Sequence, residues 1–75
     1  MDLRRELKVT AIRVERGHVR DAGPTILHAG SEVNLVRSLG EGYEPPEGFT
    51  WIAYKGHYYE VSDSDIAKAM TDPDL

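Results

Sequence analysis

The chain has 75 residues, no cysteine and a formal charge of -4 at neutral pH, with 40% hydrophobic and 29% charged residues. A chain this short is at most one domain burying only ~60% of the surface its unfolded form exposes, and this composition is that of a globular rather than a disordered protein. Disulfide staples and thiolate zinc sites are excluded, no apolar run approaches the length of a membrane span, and the N-terminal MDLRRELK lacks the apolar block of a signal peptide, so a cytoplasmic setting fits best.

From Leu7 to Val14 the run is rich in β-branched residues, with Leu7, Val9 and Ala11 on one face before Ile12 and Val14 switch to the other. A strand with a bulge or with both faces buried accounts for that switch. Upstream, Leu3 and Leu7 are spaced for a single helical turn. Glu15-Arg16-Gly17-His18 supplies a turn, a short strand over 18–21 follows, and Asp21-Ala22-Gly23-Pro24 reads as a loop. Two further strands over 25–29 and 32–38 are expected to meet at a tight bend at Gly30. The segment Gly40 to Gly48 holds three Gly, two Pro and three Glu and reads as the longest and most acidic loop.

The segment Phe49 to Val61 carries five of the six aromatic residues around Lys55-Gly56, a two-residue hairpin signal. A turn there predicts strands over 49–54 and 57–61 and pairs Tyr54 with His57, Ile52 with Tyr59 and Thr50 with Val61 on one face. Phe49, Trp51, Ala53, Tyr58 and Glu60 fall on the other. The β-branched residues assign Ile52, Tyr59 and Val61 to the core and leave Trp51 and Tyr58 diagonal on the outer face. Ser62 with Asp65 forms a capping box for a helix from about 63 to 70, striped by Ile66, Ala69 and Met70. Asp72-Pro73-Asp74 ends it, giving one domain over 1–75 with an ordered core of about 7–70 and a loose tail over 71–75.

Short strands, a Gly at a tight bend, a long irregular loop and a terminal hairpin running into a helical turn describe a mainly β fold, a small closed barrel of about five strands with a short C-terminal helix. The string ILHAGSEVNLV, followed by a loop and WIAYKGHYYEVSDSDI, resembles the Src-homology-3-like small barrel. Gly30-Ser31-Glu32-Val33, Lys55-Gly56 and Ser62 to Ile66 stand in the order of that superfold's Gly-x-x-Val strand, distal hairpin and helical turn. The resemblance covers residues 25 to 66. The Ala-Leu-Tyr-Asp-Tyr-type strand and the Gly-x-x-Pro with Asn-Tyr of its peptide-binding members are missing, so proline-motif binding does not carry over.

The functional candidates divide by charge. Trp51, Tyr58 and Phe49, with Tyr43 from the long loop, would form an aromatic platform if they share an outer face; the competing reading is that residues 1 to 20 or the helix cover that face. Glu41, Glu44 and Glu47 would add an acidic loop able to dock a basic partner, or would serve only to keep the loop solvated. Residues 1 to 20 hold six basic residues (Arg4, Arg5, Lys8, Arg13, Arg16, Arg20) against three acids, a net of +3; the remainder holds three against ten, a net of -7. The basic set could track a phosphate backbone, although the acidic remainder would repel a polyanion. His18, His28 and His57 lack metal-ligand spacing, and no nucleophile motif is present. The expectation is a non-enzymatic interaction module or small regulator or inhibitor, of the size and charge of phage or mobile-element inhibitors, that needs no metal or cofactor. It would bind a partner protein through the aromatic face and acidic loop. The alternative is a nucleic-acid-binding barrel, and the edge near Leu7 to Val14 could pair two copies into a homodimer.

Overall fold

The computed structural model describes residues 1–72. Five antiparallel strands, β1 (Leu7–Glu15), β2 (His18–Leu27), β3 (Asn34–Val36), β4 (Phe49–Tyr54) and β5 (His57–Ser62), form one sheet in the order β2-β1-β5-β4-β3, followed by the helix α1 (Asp63–Ala69). The fold is mainly β with a short C-terminal helix, as the sequence implies. The sheet is open, however, and not the closed barrel that the resemblance implied. Closure would require the end strands β2 and β3 to meet. The segment leading into β3 is instead occupied by the N-terminus: Asp2 bridges Glu32, Leu3 N donates to Ser31 O at 2.9 Å and Val33 N donates to Met1 O at 2.8 Å. β3 pairs with β4 over only three residues, and β1 is interior rather than the exposed edge expected for a homodimer.

Both hairpins close through two-residue turns. Lys55 and Gly56 adopt φ of 49° and 80°, the positive pair that a tight turn compatible with strand twist requires, and Arg16-Gly17 repeats the geometry. The β4–β5 register is the one read from the sequence, with Tyr54 opposite His57, Ile52 opposite Tyr59 and Thr50 opposite Val61. In β2 the structure departs from expectation. The strand runs unbroken through Asp21-Ala22-Gly23-Pro24, because Ala22 and Gly23 together stand opposite Ala11 as a bulge. Gly23 takes φ of 99°, and β2 is an edge strand, where an outward position has no ladder bond for a proline to remove.

The sheet buries both faces. On the first, Leu7, Val9, Leu27, Val33, Ile52 and Val61 pack with Leu3 and Ala69, and Tyr54, Tyr59, Ile66 and Met70 lie against them. The helix is held over this face by its cap: the Ser62 hydroxyl accepts the Asp65 amide at 3.2 Å. Leu3 belongs to the core rather than to a helical turn, so the ordered region begins before residue 7. At the other terminus Arg5 donates to the carbonyls of Thr71 and Asp72 at 3.1 and 2.9 Å, and Arg4 pairs with the Asp72 carboxylate at 3.6 Å. Positions 71 and 72 are therefore tied to the fold, and the rest of the expected loose tail lies outside the described residues. No helix among the described residues is long and apolar enough to cross a membrane.

Candidate functional site

The second face is built by the residues that alternate with the core set: Ile12 on β1, Trp51 and Ala53 on β4, Tyr58 and Glu60 on β5, and Val36 on β3. Ile12 and Trp51 are buried here, which is why the apolar pattern of β1 changes sides after Ala11. Trp51 is only 2% exposed, so the indole is not part of an exposed platform. Its position answers the physical needs of a buried indole. The ring N–H donates to Glu60 Oε1 at 3.1 Å across the directly opposed pair, and Glu44 and Pro45 of the long loop line a hollow beside it. The helix and Leu3, Leu7 and Val9 pack on the first face, and of residues 1–20 it is Ile12 of β1 that is buried on the same face as the indole.

The loop between β3 and β4 arches over this face. Leu39 N donates to Tyr43 O and Tyr43 N to Gly40 O, which compacts its first half. The Tyr43 hydroxyl reaches the β1–β2 turn, 3.6 Å from where a Cβ on Gly17 would stand. Tyr43 is thus half-buried against the hairpin, not grouped with Phe49 and Tyr58. Glu41, Glu44 and Glu47 all face solvent and make no ion pair among the described residues.

Phe49 and Tyr58 remain exposed, at 43% and 41%, and Leu35 is exposed at 62%. Leu35, which the sequence did not group with the other two, joins them at the border of two adjoining hollows. One, of about 850 Å³, is lined by Arg13, Val14, Leu35, Arg37, Ala53 and Tyr58, among others. The second brings Phe49, Glu44 and Pro45 to the same Leu35-Val36-Arg37 segment. Phe49 and Tyr58 are the part of this border that the sequence singles out, whereas Leu35 is not; the contribution of Val14 follows from the β1–β2 hairpin overhanging β5, whose pairing with β1 ends at Ile12.

The basic residues do not form one track. Arg4 and Arg5 bind the end of the helix, while Arg13, Arg16 and Arg20 lie at the far tip of the long hairpin in a molecule 46 Å long. At that tip Glu15 bridges Arg13 at 3.6 Å and Arg20 at 3.9 Å, which removes part of the local positive charge. Lys8 borders Pro24, Thr25 and Ile26 on the β2 side. No group of three His, Asp or Glu among the described residues could hold a metal ion, and His18, His28 and His57 are exposed and separate. The Tyr54 phenol is held below its ordinary value of 10.0, first by contact with the Ser31 side chain and then by Lys55, whose Nζ lies 5.3 Å from the ring centroid.

No family model matches this chain. No curated protein and no solved structure is detectably similar to it either.

Proposed function

We propose that this protein is a non-enzymatic interaction module whose partner-binding surface runs along the β3 edge of the sheet, where Val36 faces the second side and Leu35 the first. One observation carries the reading: of the six large exposed hydrophobic residues among those described, four (Val14, Leu35, Phe49 and Tyr58) border the two adjoining hollows that share Leu35, Val36 and Arg37. Scattered apolar residues are ordinary on a protein surface, whereas a contiguous group rimmed by charge is characteristic of contact sites. Tyr58 supplies the rigid amphipathic ring favoured at such sites, and burying the patch would return roughly 25 cal/mol per Å² of apolar area. The acidic loop borders the surface through Glu44, retaining part of the role assigned to it from sequence. Trp51, only 2% exposed, supports the surface from beneath at the floor of the second hollow.

Capture experiments with immobilised variants test this. Leu35→Asp and Tyr58→Ala each introduce a change at an exposed position and should leave the melting temperature near that of the unaltered protein. Both should lose a partner that Ile26→Asp, on the opposite edge, retains. Loss on Ile26→Asp with retention on the other two would place the contact on β2 and overturn the reading, as would a partner retained by all three.

A further inference from the structure

We infer that the larger hollow receives an extended acidic segment of the partner, with apolar side chains set between its carboxylates. The inference rests on the surface proposed above and specifies its ligand. The sheet order puts β5 and β4 between β1 and β3, so Tyr58 and Ala53 lie between Arg13 on one side and Arg37 on the other. In a protein of net charge -4, no carboxylate among the described residues lines this hollow, and both of its charged side chains are arginines. Arg37 makes no ion pair among the described residues, and Arg13 shares only the outlying carboxylate of Glu15 at 3.6 Å. Both guanidinium forks can accept a carboxylate in two-point geometry.

The spacing sets the ligand's pattern. Three strand intervals separate β1 from β3, about 14 Å at the usual inter-strand distance. An extended chain advances about 13 Å over four residues, so carboxylates about four positions apart would meet the two arginines while the side chains between them rest on Val14, Ala53, Val36 and Tyr58. The neighbouring hollow shares Arg37 and adds Glu44 beside Phe49, a carboxylate absent from the larger hollow that would fix the direction of the segment. A single-stranded nucleic acid fits less well. Its bases need aromatic platforms and this floor offers one ring among aliphatics, while the chain's acidic balance repels a polyanion.

Fluorescence anisotropy with labelled peptides tests the assignment. The probe is a short extended peptide with two Asp about four positions apart and Leu and Val between them; its Asn and Lys counterparts and an oligothymidine are the comparisons. The Asp peptide should bind roughly tenfold more tightly than the Asn peptide, with an affinity that falls as salt is added. Arg37→Glu should reverse the preference toward the Lys peptide without moving the thermal melt, and Tyr58→Ala should weaken Asp and Asn peptides alike. Equal binding of Asp and Asn peptides, insensitive to Arg37→Glu but lost with Tyr58→Ala, would overturn the acidic ligand and leave the proposed surface standing. Binding of none of the peptides, or of the oligothymidine in their place, would also overturn the inference, and the capture experiment then judges the surface separately. A dimer in light scattering that Tyr58→Ala dissociates would mean that a second copy fills the hollow, which equally overturns it.

Discussion

Replacing Trp51 by Ala separates a structural indole from a contact residue. At 2% exposure the side chain has surrendered nearly all of its surface, and an aromatic of this size buries up to about 250 Å². At roughly 25 cal/mol per Å² that is an upper value near 6 kcal/mol, and measured truncations of buried aromatics fall at about 3–5 kcal/mol. The Glu60 carboxylate also loses its donor, although it is only part-buried and can rehydrate. Against a total stability of about 4–11 kcal/mol for a domain of this length, Trp51→Ala should remove a quarter or more of it and leave the chain largely unfolded if the total lies at the low end. Trp51→Phe keeps a ring and should lose only about 1–2 kcal/mol. Urea unfolding followed by far-ultraviolet circular dichroism measures both, because the chain has a single Trp and the variants lose its fluorescence. In the unaltered protein that fluorescence should begin at the short wavelengths of a dry indole and move to the red on unfolding. A loss below about 1 kcal/mol in Trp51→Ala, or a solvated emission before any urea is added, would refute the buried indole.

Four other outcomes follow from the same geometry. Leu3→Ala should destabilise by about 2–5 kcal/mol in urea unfolding, because Leu3 is a core residue delivered by the N-terminal segment; a value near zero would mean that the segment does not pack. Ser62→Ala should lose about 1 kcal/mol with the helix cap, and Ser62→Asp should recover it. Ultraviolet titration should show the Tyr54 phenol ionising below its ordinary value, a behaviour weakened in Ser31→Ala, where Lys55 still lowers it. Because the folded state lowers this phenol's value, its stabilising effect is full above the unfolded value and disappears as pH falls through the folded one, so stability near neutrality should not depend on the ionisation of Tyr54. Gel shifts at low salt with single- and double-stranded probes should show no retardation, since Arg4 and Arg5 are engaged at the end opposite Arg16 and Arg20; a shift abolished by Arg16→Ala would restore the nucleic-acid reading.

The features legible in the sequence are those fixed by neighbours in the chain. Lys55-Gly56 dictates a two-residue turn, and the turn dictates every pair of the β4–β5 ladder. The change of face at Ile12 reports a sheet with two buried sides, and Ser62 announces the helix it caps. Features set by distant partners left weaker traces. The pairing of residues 1–3 with 31–33 is a long-range contact of a few residues with no local signature. Gly23-Pro24 has the composition of a loop, and only the partner strand turns it into a bulge. Alternation places Trp51 on the second face but cannot say that a loop of Gly, Pro and Glu arches over that face and borders the indole. The candidate surface moved for that reason: Tyr58 and Phe49 keep their exposure, while Trp51 and Tyr43 pass into the structure that supports them.

Site-specific photocrosslinking reads the central proposal directly. A photoreactive residue at position 35 or 58, on the β3 side, should yield a covalent adduct with the partner in extracts of cells that encode the protein, whereas the same residue at position 26 on the β2 edge should yield none. Adducts from position 26 with none from 35 and 58 would contradict the assignment of that face.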